Sequence, residues 1–132
     1  MKNNWGDSYL FSCFFLKNVL TVHELKMKLV PEDGLQKLVD SGELFVELFR
    51  HGTLSIEVYM PPKIDEQKPH DRDEIYIIIS GHGDFFSGNE VHRFRTGDLF
   101  FVPAGEPHHF EHFSEDFATW VIFYGPQGGE KD

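Results

Sequence analysis

Cysteine is nearly missing from this chain of 132 residues. Cys13 stands alone, which excludes an intrachain disulfide and a thiolate zinc cluster and agrees with a reducing cytoplasm. Positive charge is scarce as well. Lys and Arg number 12 against 22 Asp and Glu, a formal net charge of −10. Such a surface repels nucleic acid and anionic bilayers, although a local basic spot can still hold a small anion. There is no apolar run long enough to span a bilayer. The stretch Tyr9 to Leu20 is too short and is broken by Lys17 and Asn18. It is a poor signal peptide too, because Asp7 offsets Lys2 and no small-residue cleavage site follows. No internal repeat, low-complexity tract or interdomain linker is present. What the chain does have is aromatic bulk. Its 14 Phe imply two buried layers or a lined cavity within one domain.

The remaining pattern is strand upon strand. Residues 1–26 form an N-terminal extension, read either as an edge element covering the domain or as a segment ahead of a true start at Met27. One short helix is predicted near Asp33 to Ser41. Asp33 caps it, Leu35, Leu38 and Val39 share a face, and Gly42 ends it. Residues 44–50 and 53–60 flank a hairpin-like turn at His51-Gly52, and Pro61-Pro62 closes the second strand. Residues 63–69 read as a polar loop, with Asp65, Glu66, Asp71 and Asp73 as a solvated acidic cluster. The isoleucine-rich run from Glu74 to Ser80 reads as a strand buried on both faces. Gly88-Asn89 marks a second hairpin, residues 99–102 a further strand, and Phe110 and Phe117 fall in a last hairpin turning at Ser114-Glu115-Asp116. Residues 126–132 are a tail expected to fray. Many short strands after one helix predict an all-β sandwich or small barrel over residues 27–125.

Two stretches carry chemistry: PHDRDEIYIIISG, from Pro69 to Gly81, and GDLFFVPAGEPH, from Gly97 to His108. They place two imidazoles and a carboxylate, those of His70, His108 and Glu74, on strands able to share one cavity. Two neutral imidazoles with one carboxylate suit an open Fe(II) site and equally Zn²⁺, Mn²⁺ or Ni²⁺. Residues alternate faces along a strand, so Glu74, Tyr76 and Ile78 point one way. Tyr76 then lines the cavity, with a phenol able to orient a substrate or donate a proton. His112 lies about 13 Å further along the chain from His108 and is not expected to ligate. His51, His82 and His92 fall at turns. Glu57, Tyr59 and Trp120 either line the cavity or pack ordinarily.

These stretches resemble the two motifs of the cupin superfamily. In the first, G-x5-H-x-H-x3,4-E-x6-G, Pro62 and Lys68 stand at the first glycine and first histidine, while His70, Glu74 and Gly81 match. In the second, G-x5-P-x-G-x2-H-x3-N, Gly97, Pro103, Gly105 and His108 match and His112 replaces the asparagine. The resemblance implies a jelly-roll β-barrel with a divalent metal held by His70, Glu74 and His108. Lys68 at the fourth ligand position leaves two readings. It points away or loses its proton and acts as a base, or it pairs with Glu74 and replaces the metal. The resemblance further implies a metal-binding protein acting on a small polar metabolite, with Tyr76 and Lys68 moving protons in isomerase, oxygenase or lyase chemistry. The alternative is a non-catalytic module that binds or senses a small molecule. A cytoplasmic homodimer is expected, because cupins pair through their sheets and Ile75, Ile77 and Ile79 need covering.

Overall fold

The computed structural model describes residues 28–132. The expectations for residues 1–26 and for a start at Met27 lie outside the described residues. Helix α1 spans Pro31–Ser41, followed by eight strands: β1 Phe45–His51, β2 Leu54–Tyr59, β3 Asp73–Ser80, β4 His82–Ser87, β5 Glu90–Arg95, β6 Leu99–Val102, β7 His108–Glu111 and β8 Ala118–Tyr124. The strands form two antiparallel sheets, ordered β1-β2-β8-β3-β6 and β5-β4-β7. This is the jelly-roll arrangement the motifs implied.

Helix α1 starts earlier than expected. Pro31 occupies its first turn, where a missing N–H costs nothing, Val30 is the N-cap, and Asp33 lies inside the helix. Gly42 ends it in a left-handed conformation at φ 70°. The buried face carries Gly34 and Leu38, with Leu35 half-buried, whereas Val39 points to solvent. Gly34 is required for close approach, since a Cβ there would lie 2.5 Å from Val58 Cγ2. Among the described residues, the helix thus covers the outer side of β1 and β2 but not that of β3, β6 and β8.

The β1–β2 turn sits at Gly52-Thr53, because His51 pairs with Leu54. The expected last hairpin is absent: β7 pairs with β4 in the small sheet, while β8 pairs with β2 and β3 in the large one. The turn at residues 114–116 therefore crosses between sheets. The same happens at Gly81, whose φ of 88° makes the switch from β3 to β4. A Cβ on Gly81 would come within 2.8 Å of the Phe117 backbone at the neighbouring crossing. Strand β3 is fully buried on its inner face, with Tyr76 at 0% and Ile78 at 2% exposure. Its outer face is only half-buried, so the expectation of burial on both faces holds for one.

Much of the phenylalanine goes to the core. Phe85, Phe94, Phe110 and Phe117 join Tyr76, Ile78, Val102 and Val121 in one cluster between the sheets. Their rings meet edge-on or tilted at centroid distances such as 4.7 Å for Phe110–Phe117, the arrangement that opposes positive ring edges to negative faces. The tail docks against the loop before β3. Gly128 N–H donates to the Asp71 carbonyl at 2.6 Å and Glu130 N–H to Asp73 at 2.8 Å. No helix among the described residues is long and apolar enough to cross a membrane.

Candidate metal centre

Glu74 and Tyr76 share the inner face of β3, as alternation requires, and His108 begins β7 on the facing sheet. His70 lies just before β3. Glu74 Oε2 is 3.1 Å from His108 Nε2 and 3.6 Å from His70 Nε2. Donor atoms of one small dication lie at most about 4.2 Å apart, twice a typical ligand distance. Both separations from Glu74 fit within that limit, and the ligand atoms of the three residues all lie within 4.8 Å of one another, a group able to close on an ion.

The donors and acceptors around Glu74 suit a cation. Glu74 is 1% exposed, and neither of its carboxylate oxygens accepts a hydrogen bond. His108 Nδ1 lies 2.7 Å from the Glu106 carbonyl, which places the ring proton there and leaves the Nε2 lone pair facing Glu74. Tyr76 donates its hydroxyl proton to Gln67 Oε1 at 2.8 Å, and its oxygen lies 3.0 Å from His108 Nε2. With His108 neutral, a carboxylate, an imidazole nitrogen and a phenol oxygen therefore converge with no donor among them. A buried carboxylate without a partner is costly, and a divalent ion would satisfy it. The residues present fit the metal.

Titration follows the same electrostatics. Burial, the largest influence, lowers the His108 imidazole, but Glu74 at 3.1 Å and the Glu106 carbonyl together favour its protonated form and raise its pKa. A proton on Nε2 and a cation thus compete for the same place beside Glu74. Burial, then the Glu74 charge, raises the Tyr76 phenol well above its ordinary value. Tyr59 is raised by burial and by Asp65. Burial raises the Glu57 carboxyl, with Glu47 and Glu74 adding repulsion.

A cavity of about 910 Å³ opens over the centre. Glu57 and Tyr59 line it, with His70, Glu74, Tyr76, Val121 and Phe123. Trp120 does not, because alternation with Val121 turns it to the outer face of β8. The mouth is apolar, with Phe45 58% and Ile64 69% exposed.

The acidic loop is not simply solvated. Asp65 is 8% exposed and accepts from Tyr59 Oη at 2.8 Å, Gln67 Nε2 at 2.7 Å, Gln67 N–H at 3.2 Å and Phe110 N–H at 2.8 Å. Asp73 is likewise buried, accepting from the Ala104 and Glu130 amides. Lys68 is exposed on the cavity wall, and no ion pair joins it to Glu74. Gln67 turns inward instead, a residue that strand alternation could not find because the chain between β2 and β3 is not a strand. The other described histidines stay outside. His92 pairs with Glu90, His109 stacks on Phe86, and His112, at φ 51°, bonds Asp84 at the surface.

With this geometry, comparison with known proteins is decisive. A model of the cupin domain matches residues 55–124, just over half of the chain. The chain belongs to the cupin family. An uncharacterized protein of Streptomyces coelicolor is 34% identical over 85 residues, covering 63% of this chain and 81% of that protein. Among solved structures, this cupin resembles the DMSP lyase DddQ of Ruegeria pomeroyi at 27% identity and a TM-score of 0.53, over 65% of this chain and 49% of that one. It resembles the Schizosaccharomyces pombe Cnp3 cupin domain at 18% identity and a TM-score of 0.55, over 62% of this chain and 64% of that one. The second likeness shows the fold alone.

Proposed function

We propose that this cupin is a metal-dependent enzyme acting on a small metabolite, with a divalent ion (Zn, Fe, Mn or Ni) held by His70, Glu74 and His108. The observation that carries this reading is the buried Glu74 carboxylate with no hydrogen-bond donor, flanked by two imidazole nitrogens. When bound, the ion supplies Lewis acidity toward a substrate oxygen or oxygen chemistry of its own. The protein's residues do the rest. A phenol ordinarily keeps its proton at neutral pH, so Tyr76 orients a substrate oxygen or donates to it. Glu57 lines the same cavity, with its carboxyl raised by burial, and supplies a second proton-transfer group. Lys68 stands on the wall with Lys63, where their ammonium groups attract an anionic substituent.

The lining of this cavity adds an apolar part to the expected small polar metabolite. Leu44, Phe45 and Ile64 ring its mouth and Val121 and Phe123 its wall. The substrate in this reading has a polar end that reaches Glu74 and an apolar remainder against those side chains. Lyase chemistry is favoured over isomerisation or oxygenation only by the similarity to a DMSP lyase.

The reading also includes a cytoplasmic homodimer. On the outer face of the large sheet, Ile75 pairs with Phe101 and Ile122, and Ile77 with Leu99 and Trp120. Leu99 is 59% and Phe101 52% exposed, an apolar patch that a second copy would cover.

The test is metal content after purification without chelator, for the native chain and for His108→Ala. Stoichiometric metal in the native protein and its loss in the variant are expected. Equal, near-zero metal in both removes the metalloenzyme. A metabolite screen on metal-loaded protein then separates the readings: product formation identifies an enzyme, while a thermal shift without turnover identifies a binding module.

A further inference from the structure

We infer that Gln67 supplies a fourth metal ligand through its side-chain oxygen, taking the role that Lys68 cannot fill. The inference rests on the metal centre proposed above. The segment between β2 and β3 carries Pro61, Pro62 and Pro69 and forms no strand. Proline cannot donate to a ladder, so strict two-residue alternation is not enforced there. The residue that faces His70 is accordingly the one three positions before it.

Two observations fix the orientation of the Gln67 amide. Its Nε2 donates to Asp65 Oδ2 at 2.7 Å, and its Oε1 accepts from Tyr76 Oη at 2.8 Å. The flipped amide would set carbonyl oxygen against carboxylate and lose the first bond. Oε1 thus faces the centre, 3.5 Å from His70 Nε2. One of its two lone pairs takes the Tyr76 proton, and the other faces His70 Nε2, where a cation held by that nitrogen would meet it.

The donor atoms close into a ring. Gln67 Oε1 to His70 Nε2 is 3.5 Å, and His70 Nε2 to Glu74 Oε2 is 3.6 Å. Glu74 Oε2 to His108 Nε2 is 3.1 Å. His108 Nε2 to Tyr76 Oη is 3.0 Å, and Tyr76 Oη back to Gln67 Oε1 is 2.8 Å. Neighbouring ligands of a small dication lie about 3.0–3.5 Å apart, given ligand distances near 2.1 Å. Tyr76 keeps its proton for Gln67 and therefore closes the ring as a hydrogen-bond donor, leaving four donor atoms for the ion. A neutral amide oxygen in place of an imidazole leaves the ligand set with one negative charge and makes it harder. That favours Mn²⁺ or Fe²⁺ relative to a set of three imidazoles and one carboxylate.

The test loads chelator-stripped protein with Co²⁺ as probe and reads affinity by chelator competition and coordination by the visible absorption of the bound ion. Gln67→Ala is expected to weaken Co²⁺ binding about tenfold or more and to change the absorption. Gln67→Asn keeps an amide for Asp65 but draws the oxygen back by one methylene, and it is expected to act in the same direction if the alanine variant does not fold. Lys37→Ala, on the exposed side of α1 away from the cavity, is expected to leave both readings unchanged. Native affinity and absorption in both Gln67 variants would overturn the assignment while leaving the three-residue centre intact. Co²⁺ failing to bind the native chain would remove the centre itself.

Discussion

Asp65 ties the loop between β2 and β3 to the small sheet, and Asp65→Ala tests that role. Four donors lose their acceptor: Tyr59 Oη, Gln67 Nε2, Gln67 N–H and Phe110 N–H. They do not weigh equally. Phe110 is 1% exposed and water does not replace Asp65 there, so its stranded amide costs about 1–3 kcal/mol. Tyr59 and Gln67 are half-buried on the cavity wall, where water partly compensates, so each loses about 1 kcal/mol net. The sum is about 3–5 kcal/mol, with the usual non-additivity among neighbours. In urea unfolding of metal-free protein, a slope of about 1.5 kcal/mol/M turns this into a midpoint lowered by about 2–3 M. Asp65→Asn retains one acceptor oxygen and should fall between the two. A loss below about 1 kcal/mol in the alanine variant would refute the reasoning, because it would mean these donors are served equally well by water.

Three further outcomes are expected. Gly34→Ala forces a methyl into Val58 and Leu48 at the helix–sheet contact and should destabilise by about 1–3 kcal/mol in thermal or urea unfolding; a neutral or stabilising effect would show that α1 is free to shift. Phe110→Ala removes a ring packed on Phe85, Phe94 and Phe117 and should cost about 3–5 kcal/mol in the same assay, with a loss under about 1 counting against the core assignment. Asp73 is held below its ordinary pKa by the Glu130 and then the Ala104 amides, so its contribution is complete above the unfolded value near 3.9 and is lost as pH falls through the lower folded value. Asp73→Asn should therefore be less stable than the native chain near pH 7, with the gap closing under acid; a gap that stays constant down to pH 2 would contradict this.

The inner face of β3 was legible because alternation is a property of extended chain, and Glu74, Tyr76 and Ile78 obey it. The turn from Gly97 to His108 was legible because Gly, Pro and His fall at positions whose backbone demands are specific. The crossing between β7 and β8 was not. Ser114-Glu115-Asp116 signals a reversal, but a turn signal does not say whether the next strand joins the same sheet. Gln67 was hidden because it lies in a loop with no ladder to fix which side chain turns inward, and the motif spacing points to Lys68 instead. Asp65 and Asp73 looked like solvated charges because their partners, the amides of Phe110, Ala104 and Glu130, are backbone groups that no side-chain pattern reports. Gly34 was overlooked on the helix because its role lies in what it lacks.

Anomalous diffraction at the metal absorption edge, on crystals of protein purified without chelator, tests the metal centre most directly. The account expects one dominant peak in contact with the Nε2 atoms of His70 and His108 and with Glu74 Oε2. Peaks confined to surface pairs such as His92–Glu90 or His109–Glu111, with none at Glu74, would contradict it.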